Sequence, residues 1–293
     1  MNPTTPIVPN APEVLHAIEL RQRLVRAPHE HKGHAGKVLI IGGDVGMSGA
    51  VFLSGQAALY GGAGWIILGL LDPRAPALVI NQPELMLKSA HEQLLSEVSP
   101  DVVAIGPGLG HSGLARQLLE AALINPSPLI LDADAINLLA SNSTLIAKLK
   151  ARPAGLTVLT PHPGEAARLL HVSSEEVQAD RLGSLHKLVQ LTGAIVVLKG
   201  QNTLIASPAN APQVCLDGNP GMGVGGMGDV LTGLMAAIVA QGLRHDLSVF
   251  EATGLAVQLH AQAADQLVNQ GLGPIGLTPM EVILKLRDLI NIK

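Results

Sequence analysis

The 293-residue chain contains one cysteine, Cys215, one tryptophan, one tyrosine and two phenylalanines. A lone cysteine forms no intrachain disulfide, so a disulfide framework is excluded and a reducing, cytoplasmic setting fits. Charge is scarce too, at 14% of residues against about 25% in an average soluble domain. Its 19 basic and 23 acidic side chains leave a net charge of -4. With no basic excess and almost no aromatics to stack on bases, nucleic-acid binding has no support. The opening MNPTTPIVPNAPEVL lacks the basic and apolar regions of a signal peptide. There is no H-E-x-x-H and no cysteine pair to suggest zinc, and His29, His31 and His34 read as an exposed loop. No G-x-x-x-x-G-K-[ST] is present, which excludes a P-loop protein.

Long hydrophobic runs need a closer look. Between Asp44 and Asp72 no residue is charged, a length sufficient to cross a bilayer. Ser48, Ser54, Gln56 and the breaker Gly61-Gly62-Ala63-Gly64 interrupt that stretch. It reads as a buried helix over 48–60, a turn, and a buried strand over 64–70, not as a membrane span.

What the chain does have is apolar content, 47% of residues, punctuated by 32 glycines and 20 prolines. That much apolar surface excludes disorder. Continuous apolar runs predict strands at 37–43, 64–70, 101–106, 128–134, 156–160 and 194–200, because a parallel strand covered on both faces is apolar throughout. Helices are expected at 48–60, 112–123, 163–170 and 175–191. A hairpin of 203–206 with 213–216 follows, then helices at 228–241, 247–268 and 279–290. The alternation predicts one three-layer α/β/α domain with a mainly parallel sheet over 1–293, preceded by a leading helical segment within about 1–30. Ligands of such sheets gather at the carboxyl ends of the strands. The sequence places Gly42-Gly43-Asp44, Gly106 to Gly110, Asp132-Ala133-Asp134, Thr160 to His162 and Lys199-Gly200 there. Asp44 and Asn81 to Glu84 are further candidates for its rim.

The densest signal is Asp217-Gly-Asn-Pro-Gly-Met-Gly-Val-Gly-Gly-Met-Gly-Asp229, leading into an apolar helix. Gly225, Gly226 and Gly228 leave backbone amides unobstructed, and the helix adds its positive end, so the loop reads as an anion cradle. Asp229 at its mouth is either a helix cap or a general base for a hydroxyl attacking a bound phosphate. Gly108-Leu-Gly110-His-Ser-Gly113, with Asp132 downstream, is a literal G-x-G-x-x-G. It keeps a dinucleotide-dependent dehydrogenase open, although Pro107 alters the strand-to-helix turn. Lys199 either snorkels from the sheet or meets a phosphate; His162 is either loop filler or a ligand contact.

Taken in order, KGHAGKVLIIGG, MSGAVFLSGQAALYGGAGW, PELM, AIGPGLG, LILDADAINLL, LTPHPGEAARLL, VVLKGQNTLIA and GNPGMGVGGMGDVLTG resemble the ADP/ATP-dependent NAD(P)H-hydrate dehydratases of the ribokinase-like superfamily. The resemblance spans about 32 to 290. It implies a repair reaction in which the hydroxyl of hydrated NADH or NADPH is phosphorylated by ADP or ATP and phosphate is expelled, with Mg²⁺ neutralising charge. It implies Asp229 as catalytic base, with the amides of Gly226, Met227 and Gly228 holding the phosphoryl group. Lys199, Gly200, Gln201, Asn202, Thr203, Asn219 and Gly228 would bind nucleotide; Ala50, Gly108, Gly110 and His162 would join Asp229 in holding the hydrate. A cytoplasmic homotetramer with an epimerase on a separate chain is the assembly implied. Val224 and Met227 stand where the family usually has threonines. The alternatives are a ribokinase-like kinase for a vitamin-precursor alcohol, the dehydrogenase, and a nucleotide-binding module without turnover.

Overall fold

A computed structural model of the chain describes residues 11–291. Strands β1 (Glu13–Val14), β2 (Lys37–Gly42), β3 (Trp65–Leu70), β4 (Leu85–Ser89), β5 (Val102–Ile105), β6 (Leu129–Leu131), β7 (Thr157–Leu159), β8 (Ile195–Leu198), β9 (Thr203–Ala206) and β10 (Gln213–Cys215) form one sheet. Their order is β1-β10-β9-β8-β7-β6-β5-β2-β3-β4. Every pairing is parallel except β8 with β9 and β9 with β10. The chain first runs outward through β2, β3 and β4, then returns to lay β5 on the other side of β2. That reversal between β2 and β5 is the switch point at which open α/β sheets bind ligands.

Alternate residues of one strand enter opposite layers. Val38 and Ile40 of β2 pack in one core, Leu39 and Ile41 in the other, which is why the run is apolar without alternation. One layer holds α1 (Ser48–Tyr60), α9 (Met227–Gly242), α10 (Val249–Asn269) and α11 (Pro279–Ile290). The other holds α2 (Leu94–Val98), α3 (Gly113–Ile124), α4 (Ala133–Ala140), α5 (Ser143–Lys150), α6 (Pro163–Leu170), α7 (Ser174–Ala179) and α8 (Arg181–Thr192). Helix α9 is apolar on nearly every side and almost wholly buried, the pattern of a helix enclosed by its neighbours. None of the described helices is long and apolar enough to cross a membrane.

Several expectations are corrected. The leading segment forms a 3₁₀ helix over Ile18–Leu24, not an α-helix; Gln258 Oε1 takes the amides of Ala17 and Ile18 at 2.7 and 2.8 Å and ties it to α10. Its proline-rich start, residues 1–10, lies outside the described residues. The strand expected to reach residue 134 stops at Leu131, because Ala133 takes φ 47° and opens α4. The helix expected over 175–191 is two. Asp180 leaves helical geometry, and its side chain accepts the amide of Gly183 at 2.9 Å to start α8. Strand β4 and helices α2, α4 and α5 were not among the expected elements.

The closest helix crossing joins α1 to α9. A Cβ on Gly233 would stand 1.9 Å from the carbonyl oxygen of Ser54, so only glycine permits the approach. Gly233→Ala is expected to cost more than about 2 kcal/mol, as overpacked cores do. Urea unfolding measures this; an unchanged midpoint would contradict the crossing.

Candidate functional site

The strand ends converge as the topology requires. Asp132 follows β6, Thr160 follows β7 and Lys199 follows β8. Lys199 Nζ lies 2.7 Å from Asp132 Oδ1. Thr160 Oγ1 donates to the same carboxylate oxygen at 2.8 Å, and Thr232 Oγ1 of α9 donates to Oδ2 at 2.8 Å. Burial alone would raise the Asp132 carboxyl, but the Lys199 ammonium and the two hydroxyls hold it below its usual value. Burial likewise opposes the Lys199 charge, while Asp132 and Glu165 beside it keep its pKa above the usual value. The pair is therefore charged, with both Asp132 oxygens hydrogen-bonded and Lys199 Nζ bonded to Asp132 alone among the described residues.

Beside this pair begins α9. Its cap is Gly226 at φ 95°, without any side-chain capping bond. Asp229 is therefore the third helical residue, not the cap. The amides of Gly228 and Asp229 have no backbone partner among the described residues, and that of Met227 reaches Val224 O only at 3.4 Å. Open donors at a helix start are a geometry that can receive an anion. A Cβ built on Gly228 would lie 3.4 Å from Lys199 Nζ, so the ammonium stands next to the open amides.

Among the described residues none donates a hydrogen bond to the Asp229 carboxylate that would lower its pKa. Burial raises it to about 7, Asp132 adds to the rise, and Lys199 offsets part of it. Glu165 on α6 is also pushed up to about 7, by burial first and then by Asp132, against Lys199 4.0 Å away. A carboxylate poised near neutrality can accept a proton at working pH.

The remaining candidates divide. Ala50 lies in the first turn of α1, and Gly108 and Gly110 in the loop after β5. That loop is stitched to the one after β2 by Asp44 N to Gly108 O at 2.7 Å. His162 caps α6: its Nδ1 accepts the amide of Gly164 at 3.0 Å, while Nε2 lies 3.2 Å from Glu165 Oε1. Burial and the Lys199 charge lower the His162 pKa, which favours the neutral ring. The hydrogen bond that joins His162 to Glu165 runs from its backbone amide to Oε2 at 2.7 Å. Gly200, Gln201 and Asn202 make the exposed turn from β8 to β9, and Thr203 Oγ1 donates to Gly200 O at 3.0 Å. Asn219 is spoken for. Its Nδ2 donates to Asp265 Oδ1 at 2.8 Å and its Oδ1 accepts Gly221 N at 3.0 Å. The side chain of Met227 is buried in the core, whereas Val224 is exposed on the loop. Gln82 and Glu84 line a separate cavity with Arg21, Arg26 and Tyr60, beyond the amino end of β4. They are not rim groups of this site.

Two features escaped the sequence reading. Thr232 is 100 residues from its partner Asp132, and Glu165 passes for an ordinary capping-box glutamate. The G-x-G-x-x-G stretch is also not a dinucleotide turn. Seven residues separate β5 from α3, and Asp132, the acid such a fingerprint would direct to a ribose, has both oxygens engaged within the protein.

Such a sheet, with a glycine-flanked anion site at the start of its central helix, defines a ribokinase-like α/β protein. The family model described as NAD(P)H-hydrate dehydratase matches residues 38–286, and the chain belongs to that family. Over 269 residues it is 40% identical to the bifunctional NAD(P)H-hydrate repair enzyme Nnr of Coxiella burnetii, covering 91% of this chain and 52% of that protein. The chain thus spans about half the length of the bifunctional relatives it matches. It is 38% identical over 269 residues to the ADP-dependent (S)-NAD(P)H-hydrate dehydratase of Neisseria meningitidis, covering 91% and 88%. The ADP/ATP-dependent NAD(P)H-hydrate dehydratase of Bacillus subtilis, co-crystallized with ATP/Mg²⁺, matches with a TM-score of 0.81 at 27% identity, covering 94% and 97%.

Two substitutions test this geometry. An acid whose folded pKa lies above its unfolded value of 3.8 stabilises the fold least when ionised; the penalty grows as pH rises from about 4 to 7. Asp229→Asn is therefore expected to stabilise the protein at pH 8 by about 1–2 kcal/mol, discounted for residual solvent contact, and to do so less at pH 4. Thermal unfolding at both pH values reads this, and destabilisation at pH 8 would refute it. Gly226→Val is a poor probe of the cradle, because its Cβ would stand 2.6 Å from Leu53 Cδ1. Gly228→Ala meets nothing closer than 3.4 Å, so it should keep the melting temperature while its methyl obstructs the anion. Nucleotide affinity should fall about tenfold or more, an expectation that isothermal titration with ADP and ATP can check.

Proposed function

We propose that the described domain dehydrates (6S)-NAD(P)H hydrate to NAD(P)H, consuming ADP as phosphoryl donor. The observation that carries this reading is the Asp229 carboxylate, unbonded and near neutrality, beside open helix amides and the Lys199 ammonium. The start of α9 and Lys199 take the nucleotide phosphates, with Gly200, Gln201, Asn202, Thr203 and Asn219 along the nucleotide. Ala50, Gly108, Gly110 and His162 hold the hydrate. Asn219 acts by shaping the loop, since its amide is engaged.

Asp229 takes the proton of the ring hydroxyl as that oxygen attacks the terminal phosphorus. The bond from that phosphorus to its bridging oxygen breaks, releasing AMP when ADP is the donor. The amides of Gly226, Met227 and Gly228 face the charge that develops on the phosphoryl oxygens. Hydroxide is a poor leaving group and phosphate a good one. The ring nitrogen's electron pair then expels phosphate, a proton leaves the adjacent carbon, and the dihydropyridine double bond returns. Among the described residues no three His, Cys, Asp or Glu side chains form a metal cluster. This fits Mg²⁺, which is commonly carried on substrate phosphates with few protein ligands; Asp229 and Glu165 are the neighbouring carboxylates, and the ion would supply charge neutralisation. A cytoplasmic homotetramer, supplied with the S epimer by a separate epimerase, completes the proposal.

The test mixes purified protein with hydrated NADPH, Mg²⁺ and either ADP or ATP, following near-ultraviolet absorbance of reduced nicotinamide. A nucleotide-dependent rise with ADP is expected. No rise with either nucleotide would overturn the dehydratase in favour of a kinase for another alcohol. Asp229→Asn should bind nucleotide yet lose turnover by about 10²–10⁴, the range of a general base. Because the base works ionised, kcat/KM should fall as pH drops below about 7; a flat profile from pH 5 to 8 would exclude Asp229 from that role.

A further inference from the structure

A second concavity, of about 560 Å³, opens between α4, α6 and α7 on the far side of the first turn of α6. Gly164 lines it, two residues beyond His162. Arg168 enters it from α6, with the hydroxyls of Ser141, Ser173 and Ser174 around it and no carboxylate in its lining. Arg168 Nη1 is committed to Asn137 Oδ1 at 2.9 Å, while Nε and Nη2 make no hydrogen bond among the described residues. Asn137 Nδ2 in turn donates to Asp134 Oδ1 at 3.3 Å, and Asp134 Oδ2 accepts the amide of Gly110 at 2.9 Å. A continuous hydrogen-bonded path thus links the Gly108–Gly110 loop to an oriented guanidinium with one free edge.

Ser141 Oγ spends its proton on Leu138 O at 3.1 Å, which leaves Ser173 and Ser174 as hydroxyl donors. A planar guanidinium edge beside two such donors, without a competing acid, is the chemistry that holds a phosphate monoester. A dinucleotide with its nicotinamide at Asp229 carries its adenosine at the opposite end. Gly110 and His162, proposed above to hold the hydrate, are tied to the groove, Gly110 by hydrogen bonds through Asp134 and Asn137 to Arg168 and His162 by the chain to Gly164. We propose that the groove binds the 2′-phosphate of hydrated NADPH and that Arg168 sets the preference for NADPH hydrate over NADH hydrate. The inference rests on the dehydratase reading.

The experiment compares wild type, Arg168→Ala and Arg168→Lys with both S hydrates under ADP and Mg²⁺. The ratio of kcat/KM for NADPH hydrate to that for NADH hydrate should fall about tenfold in Arg168→Ala, through KM and not kcat, with partial recovery in Arg168→Lys. An unchanged ratio overturns the proposal, and so does an equal loss with both hydrates, which would put Arg168 on the diphosphate they share. Calorimetric titration with NADP⁺ and NAD⁺ reads the groove without turnover. A wild type that dehydrates neither hydrate defeats the dehydratase reading. A preference for NADP⁺ that Arg168→Ala abolishes would still uphold the groove as a 2′-phosphate site, and its absence in wild type would overturn it.

Discussion

The ion pair between Lys199 and Asp132 is the interaction on which the site depends. It ties the ends of β6 and β8 together, and through Thr160 and Thr232 it adds β7 and the central helix α9. A buried ion pair seldom adds stability over an apolar replacement of the same shape. Its value here is positional. A flexible ammonium becomes a fixed charge beside the open amides of α9, at a distance no larger side chain than that of Gly228 would leave free. Ala133, directly after Asp132, holds φ 47°, a conformation costly for a residue other than glycine. The backbone is strained at the point where the sheet ends and the charged pair begins.

The same pair sets the chemistry of its neighbours. Asp132 is held ionised, so it repels charge on Asp229 and Glu165, while Lys199 attracts it. Burial adds to the repulsion, and both carboxyls come to about 7. Without Lys199 they would rise further and remain protonated at neutral pH. Burial is the larger cause of the rise, and Asp132 adds to it. Carboxylates of opposite behaviour within one small region are the arrangement by which a site separates structural from proton-transferring acids.

Most of the sheet was legible because a doubly covered parallel strand leaves an unambiguous trace. VLII of β2 (38–41) and VVAI of β5 (102–105) are apolar at every position, each alternate residue serving a different core. Strand β4 left no such trace: at the sheet edge only Leu85 of its five residues is buried, so LMLKS shows neither a continuous run nor clean alternation. The break at Asp180 was hidden for another reason. Its side chain caps α8 three residues on, a local event that helical periodicity across 175–191 does not record. In the candidate site, the glycines and the strand-end positions were legible, since they obey local rules. The pairing of Asp132 with Thr232 does not, because it is decided by how α9 crosses the sheet. Glu165 was obscured by its second role, accepting the His162 amide at 2.7 Å as any capping glutamate does.

A kinase-like scaffold suits the proposed dehydration for an electrostatic reason. Phosphoryl transfer turns the ring oxygen into a phosphate-ester oxygen and moves negative charge onto the departing nucleotide. The following step must let the attached group leave as phosphate. A base with an ordinary carboxylate pKa would return its proton at once and remain anionic beside the new phosphate ester. Asp229, with a pKa near 7, holds the proton it receives and becomes neutral, so it does not repel the ester during the interval before elimination. The helix amides and Lys199 then face the leaving phosphate through donors that need no rearrangement. What distinguishes this chemistry from stable phosphorylation lies in the substrate, whose ring nitrogen can expel the group just attached; the protein has only to hold base, donors and ring in place for both steps.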